Sequence, residues 1–214
     1  MFDIVDIILS ILCFVLAISF HEWAHAYAAY RLGDNTAFYA GRMTLNPLAH
    51  LDIKGLLFMI IFRFGWAKPV PVNPRNFKNL RRDDIIVSSA GILTNILLAF
   101  LLTPIYLVLL TSYTKSMNSE VLYYLSNFVV NFIIVNISLA VFNLIPLPPL
   151  DGFHLLEDFL IKTVGPKPFL FMRKYALIFL IVIFVVLRFT NVLGIITGGI
   201  FSAFLSLFGS VMGV

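Results

Sequence analysis

The sequence predicts an all-α integral membrane protein, a bundle of four or five transmembrane helices. Of its 214 residues, 60% are hydrophobic and only 12% are charged, about half the charged fraction of ordinary soluble domains. Several apolar runs reach the ~20 residues that a helix needs to cross a bilayer. The net charge of +4 comes from basic residues in loops beside these runs, a membrane-orientation pattern that indicates no nucleic-acid partner.

The first predicted span covers residues 5–30 and ends before Gly33, a residue type that often stops helices. Asp3 and Asp6 lie where a secretory signal peptide carries basic residues, so we expect this segment to be retained as a span. The single cysteine, Cys13, lies inside it. One cysteine excludes an intrachain disulfide, and we expect Cys13 to be a packing residue.

A membrane-associated segment is expected between the first two spans. The apolar run over residues 56–64 is interrupted by Arg63 and is too short to cross a bilayer, which predicts a re-entrant or interfacial piece. Residues 40–47 and 66–74 contain prolines, and the residue before each proline is pushed out of the helical region. We expect extended backbone there, polyproline-like or as a β edge that can pair with an extended substrate.

The rest of the chain predicts three further spans, a short amphipathic stretch and a last apolar segment. Prolines after the third span must unwind the backbone close to the lipid, which is tolerated only inside protein or beside a cavity. We find no internal repeat and expect a single domain over residues 1–214. The predicted spans cover residues 85–110, 121–144 and 169–187, the amphipathic stretch covers 154–164, and a fifth span or looser hairpin covers 192–214.

The pentad His21-Glu22-Trp23-Ala24-His25 lies inside the first span. Positions i and i+4 of a helix share one face, so His21 and His25 can bind one metal ion while Glu22 reaches a water molecule beside it. A solvated helix face is the alternative, but unpaired ionisable groups at bilayer depth are costly. A zinc ion removes that cost, and the pattern is typical of zinc hydrolases.

Basic residues predict the orientation of the spans. The connection over residues 31–82 carries nine Lys or Arg and residues 162–174 carry four, whereas the other side has only Lys115 and Arg188. The positive-inside rule makes the richer side cytoplasmic and the N-terminus external. The pentad and Asp151, which follows the third span, then lie near the same cytoplasmic depth.

Asp151 is the expected third metal ligand. Catalytic zinc takes three protein ligands and keeps one position open. Asp151 follows a proline-rich loop that can turn back toward the pentad, and Gly152 permits close approach. Other side chains compete chemically for this role, although His50 fits better as a hydrogen-bonded anchor of its loop: the competitors are His50, His154, Glu157 and Asp158.

Three motifs together resemble the site-2 protease family of intramembrane zinc metalloproteases. They are His21-Glu22-x-x-His25, Gly91-x-x-x-Asn95, and Asn143-x-x-Pro146-x-x-x-x-Asp151-Gly152. Taken alone, the second motif would indicate tight helix packing with an interhelical hydrogen bond. The stretches over residues 41–47 and 65–74 resemble the compact bacterial branch, which lacks a PDZ domain.

The resemblance implies a role for each matching residue. His21, His25 and Asp151 would bind one Zn²⁺ per chain, and Glu22 would be the general base. Asn95 and Asn143 would position substrate or polarise the scissile carbonyl. The expected substrate is a transmembrane protein, cut within or beside the bilayer of the cell membrane.

Two other functions, transport and inactive scaffolding, are alternatives to proteolysis. A metal or proton transporter also buries His and Asp, but its ionisable groups would be spread along a pathway, whereas here they cluster at one depth. An inactive scaffold would lack the general base, and Glu22 is intact. The sequence leaves the substrate, its cleavage site and the oligomeric state open.

Overall fold

The computed structural model describes residues 4–62, 65–115 and 119–213, and Arg63 and Phe64 lie outside this description. The described residues are mainly helical and contain no β-strand beyond one isolated bridge. Two short 3₁₀ helices cover Pro47–Ala49 and Pro74–Asn76. The α-helices are α1 (Ile4–Arg31), α2 (Thr36–Tyr39), α3 (Ile53–Phe62), α4 (Leu80–Lys115), α5 (Glu120–Asn143), α6 (Asp151–Val164), α7 (Lys167–Lys174), α8 (Ala176–Thr190) and α9 (Val192–Met212).

Helices α1, α4 and α5 form the centre of the bundle, and α9 packs across α4 and α5. Small side chains let the backbones approach: Cys13 and Ala17 of α1 are fully buried against Phe132 of α5. Cys13 is therefore a packing residue, as predicted. Ala99 of α4 packs with Ile133 of α5 in a second cluster that α9 covers. This close packing sets the depth at which side chains of the three helices meet.

The predicted all-α membrane fold is confirmed. By length and composition, four helices of the described chain can cross a bilayer, namely α1, α4, α5 and α9, and the pair α7–α8 can form a fifth span. The third predicted span ends as expected, because the chain unwinds after Asn143. Asp151 follows this unwound turn as the first residue of α6, which therefore begins three residues before the predicted amphipathic stretch.

The predicted span over residues 169–187 is two helices, α7 and α8, bent by 72° at Tyr175. The basic side chains of Arg173 and Lys174 end α7, and they would be costly in hydrocarbon. Only the apolar α8 continues beyond the bend, and its described side chains are all at least partly exposed. The bend thus separates an amphipathic interfacial helix from an apolar one.

The connection between α1 and α4 folds back over α1. Helix α3 is short, apolar and largely exposed, which agrees with an interfacial or re-entrant piece. The chain returns beside it through the antiparallel bridge between Leu51 and Ala67. Residues 66–73, here called the 66–73 segment, have no regular structure beyond this bridge. Fully buried Asp34 holds the end of this segment by accepting hydrogen bonds from Asn73 N (2.7 Å) and Asn76 Nδ2 (2.7 Å).

Candidate metal centre

The second half of α1 carries the pentad into the interior of the bundle. His21, Glu22 and His25 are 4%, 8% and 7% exposed. Because His21 and His25 are one helical turn apart, their rings lie on one face and meet edge to face, with centroids 4.6 Å apart. The sequence pattern therefore produces a paired histidine site below the surface.

Three ligand atoms converge at this point. Nε2 of His21 and Nε2 of His25 are 3.0 Å apart, and Oδ2 of Asp151 lies 3.2 Å and 3.3 Å from them. Asp151 reaches them because it begins α6, directly after the unwound turn, and Gly152 lets the turn pass close to the backbone of Leu144. Among the described residues, this is the only group of three His, Cys, Asp or Glu side chains with such spacing.

Helix α4 supports both imidazoles from behind. Nδ1 of His25 donates to the carbonyl oxygen of Val87 at 2.7 Å, and Nδ1 of His21 lies 2.6 Å from Oδ1 of Asn95. Gly91 lies between these two contacts, and a Cβ atom there would come within 2.5 Å of both rings. The Gly91-x-x-x-Asn95 motif thus makes room for the histidines and also contacts one of them.

The donor set fits a divalent metal ion. A neutral His25 ring that donates from Nδ1 to a carbonyl must keep its lone pair on Nε2. Oδ2 of Asp151 is buried and has no hydrogen-bond partner. Ligands bound at about 2.0–2.1 Å to a tetrahedral zinc lie about 3.3 Å from one another, close to the separations found here. A single proton can form a hydrogen bond between only two of these three atoms, whereas a divalent cation can bind all three.

Comparison with known proteins identifies the family. A profile of peptidase family M50 matches residues 111–187. YwhC of Bacillus subtilis (strain 168), whose name describes a candidate zinc metalloprotease, is 41% identical over 175 residues, which are 82% of this chain and 79% of YwhC. The chain belongs to peptidase family M50.

Two mycobacterial proteins are more distant members of the comparison, and both are named as candidate zinc metalloproteases, Rip2. The Mycobacterium tuberculosis H37Rv protein is 29% identical over 79% of this chain and 64% of its own length. The Mycolicibacterium smegmatis protein is 31% identical over 72% of this chain and 58% of its own length. The chain thus spans less than two thirds of either Rip2 protein. No solved structure matches it significantly.

In this M50 peptidase, Glu22 is engaged by the 66–73 segment. Oε2 of Glu22 accepts a hydrogen bond from the backbone N–H of Val70 at 2.7 Å. Val70 is buried against Ala26 of α1 and Ala37 of α2, and Arg42 holds the backbone beside it by donating to Lys68 O at 2.7 Å. A backbone N–H leaves no sequence signal, so sequence reasoning missed this contact.

The other candidate residues contact partners other than the three candidate ligand atoms. Asn143 is the last residue of α5, and its Nδ2 donates to Leu139 O of the same helix at 3.0 Å. His50 is fully buried and donates from Nε2 to Thr44 O at 2.8 Å, which is the loop-anchoring contact expected for it. His154 is 3.9 Å from Asp84, and Glu157 pairs with Arg173.

Asn95 is fully buried and lies on His21. This position favours a role for Asn95 in orienting His21, rather than the substrate-binding role that the family resemblance implied. Behind Asn95 lies Asn136 of α5, also fully buried, which sequence reasoning did not single out. An amide in the middle of an apolar span was the signal that could have found it, because such groups are costly in lipid unless they are paired.

Proposed function

We propose that this M50 peptidase is a zinc metalloprotease that hydrolyses peptide bonds in transmembrane or juxtamembrane segments of membrane proteins. His21, His25 and Asp151 would hold one zinc ion per chain. The observation that carries the proposal is the convergence of two imidazole nitrogens and an unpartnered carboxylate oxygen within 3.3 Å of one another. YwhC and Rip2, which bear zinc-metalloprotease names, support the choice of metal.

The chemistry requires a base beside the metal. When bound, zinc supplies a Lewis acid that activates water and polarises a peptide carbonyl. Glu22 follows His21 directly on α1, so its carboxylate can accept the proton from the attacking water and return it to the leaving amine. The hydrogen bond from Val70 N–H occupies one oxygen of this carboxylate, and the other oxygen can take the proton.

Substrate binding is assigned to the residues around this centre. Asn143 lies at the end of α5, where the chain unwinds toward Asp151, and is half-buried. Its amide Oδ1 and Nδ2 groups are suited to an extended peptide or to the developing oxyanion. The 66–73 segment presents irregular backbone next to Glu22, and an extended substrate can pair with such an edge.

We assign the metal centre to the cytoplasmic side of the cell membrane and the N-terminus to the outside. The loop between α1 and α4 and the α6–α7 region carry most of the basic residues, which supports this orientation through the positive-inside rule. We propose that residues 1–214 form one membrane-embedded catalytic domain, because α1, α4, α5 and α6 all contribute to the site.

The test compares Glu22→Gln with wild type in detergent or liposomes. Gln keeps the size of the side chain but cannot accept a proton, so cleavage of a membrane-protein substrate should fall at least about a hundredfold, with zinc content unchanged. Glu120→Gln, at the exposed start of α5, is the matched control and should keep full activity. Normal cleavage by Glu22→Gln would refute the assignment. Membrane proteins trapped on this variant would identify natural substrates.

A further inference from the structure

A line of hydrogen bonds joins three helices behind the metal centre. Nδ1 of His21 on α1 meets Oδ1 of Asn95 on α4 at 2.6 Å. Nδ2 of Asn95 donates to Oδ1 of Asn136 on α5 at 2.7 Å. Nδ2 of Asn136 then donates to the carbonyl oxygen of Phe132 at 2.8 Å. Both amide side chains are fully buried, so water does not compete for these bonds.

The carbonyl oxygen of Phe132, where this line ends, fixes which atom donates and which accepts in every bond. The carbonyl oxygen of Phe132 can only accept, so the group of Asn136 that faces it must be the NH₂. Oδ1 of Asn136 therefore faces Asn95, and as an acceptor it requires the NH₂ of Asn95. The same NH₂ also lies 3.3 Å from the carbonyl oxygen of Ala17, which again can only accept.

The remaining atom of Asn95, Oδ1, consequently faces His21. An oxygen acceptor at 2.6 Å requires a proton on Nδ1 of His21, and in a neutral imidazole this places the lone pair on Nε2. Nε2 is the atom that meets His25 and Asp151. A carbonyl on α5 thus determines, through two amides, which nitrogen of a histidine on α1 is available to a metal ion.

We propose that Asn136 is a positioning residue for the metal centre, acting through Asn95 to hold His21 in its metal-binding tautomer. The proposal rests on the proposed function, since it assumes that His21 binds the metal. Without Asn136 the orientation of the Asn95 amide depends only on the longer 3.3 Å contact with the carbonyl oxygen of Ala17, so the amide turns over more readily and presents NH₂ to Nδ1. That contact favours the tautomer with a proton on Nε2, in which Nε2 has no lone pair to offer a metal ion.

A purely structural role for Asn136 makes a different prediction. Buried amides also join transmembrane helices by hydrogen bonds, and loss of such a bond would lower the unfolding temperature of the zinc-free and zinc-bound protein alike. A positioning role acts on the ligand, so it lowers zinc affinity and reduces the increase in unfolding temperature that zinc produces.

The experiment measures zinc affinity by competition with a chelator in the purified full-length protein, with and without Asn136→Leu. Loss of a group that orients a metal-binding histidine typically weakens binding about 10- to 100-fold, and we expect a loss in this range. Asn131→Leu is the matched control. Asn131 lies on the same helix, is exposed and makes the same kind of bond to the carbonyl four residues earlier, Asn127 O at 2.8 Å, but does not contact Asn95.

A conservative variant completes the test. Burial favours the neutral acid in Asn136→Asp; its OH can donate to Phe132 O while its other oxygen accepts from Asn95, so this variant should retain zinc affinity close to wild type. If Asn136→Leu does not fold, Asn136→Ala removes the same acceptor with a smaller side chain. Wild-type zinc affinity in a folded Leu or Ala variant would overturn the proposal, as would equal losses in Asn136→Leu and Asn131→Leu. A wild-type protein that binds no zinc would instead refute the proposed function.

Discussion

Gly91 of α4 leaves no room for a side chain beside the two histidines. A glycine is required here for steric reasons, because a Cβ atom would lie within 2.5 Å of the rings of both His21 and His25. An added Cβ would push the imidazole rings away, and the candidate ligand atoms, now 3.0–3.3 Å apart, would no longer converge. The glycine therefore determines how closely α4 approaches the histidines.

We expect Gly91→Ala to lower activity about a hundredfold, the effect of a shift of about 1 Å in catalytic groups. Zinc affinity should fall as well. Helix propensity cannot explain the loss, because Ala is favoured over Gly in a helix by about 0.5–1 kcal/mol. Gly198→Ala on α9 is the control, since nothing lies within 4 Å of its would-be Cβ. Zinc titration and substrate cleavage would check both variants, and normal activity in Gly91→Ala would contradict the geometry.

Zinc stoichiometry of single variants tests the ligand set. Asp151→Ala should lose most of the metal, because a third protein ligand is removed. His50→Ala and His154→Ala should keep it, since neither side chain reaches the three ligand atoms. Metal analysis of the purified proteins gives the answer. Full zinc in Asp151→Ala would mean that the wrong carboxylate was chosen.

The convergence of His21, His25 and Asp151 could be predicted from the sequence, whereas the contacts that support these residues could not. The spacing of His21, Glu22 and His25 along one helix indicates a metal site. The proline-rich loop before Asp151 indicates that this residue can turn back toward it. The contact of Glu22 with Val70 N–H and the line through Asn136 depend on how separate segments meet. Residue type alone carries little information about such contacts.

Among the helices, α6 joins the metal centre to a pH-sensitive contact. Its first residue is the proposed ligand Asp151, and further along Asp158 is buried against Asp84 of α4. Burial and the Asp84 carboxylate raise the pKa of Asp158 to about 7. Oδ2 of Asp158 has no hydrogen-bond partner, and a proton shared with Asp84 would supply one.

The charges around this pair oppose one another. Glu157 raises the pKa of Asp158 further, and Arg81 lowers it. His154 lies 3.9 Å from Asp84, and Arg173 of α7 neutralises Glu157. The net result is that α6 docks on α4 most favourably while Asp158 is protonated.

We therefore expect the stability of the folded protein to fall as the pH rises from about 4 to about 7 and the effect to level off above that pH. The folded state holds a proton on Asp158 up to pH about 7, whereas the unfolded chain releases it near pH 4, so the folded state binds more protons in this window. Asp158→Asn should remove this part of the pH dependence. Unfolding temperatures across pH 5–8 would check it, with Glu120→Gln, at the exposed start of α5, as the control. An unchanged slope in Asp158→Asn would contradict the assignment.

Helix types and approximate limits could be predicted, but the bend at Tyr175 could not. Arg173 and Lys174 interrupt the apolar pattern over residues 169–187, but a basic pair alone does not predict a bend. In the structure Arg173 pairs with Glu157 of α6. That contact between α6 and α7 has no counterpart in local propensity.

For the molecule as a whole, the orientation in the membrane is the leading prediction. A reporter fused before Phe2 should read outside, and one inserted near Lys78 should read cytoplasmic, because basic loops remain on the cytoplasmic side. Paired alkaline phosphatase and fluorescent-protein fusions would check it. The reverse pattern would place the metal centre on the external side and would contradict the depth assigned to it.

The proposed metal ligands His21 and Asp151 are synthesised at well-separated times. Asp151 lies 130 positions after His21, so at 5–20 residues per second a ribosome adds it roughly 6 to 26 seconds later. During that interval the nascent chain carries two histidines and a base but no complete ligand set. With the proposed ligand set, we therefore expect proteolysis to begin only once α6 has left the ribosome and docked on α4.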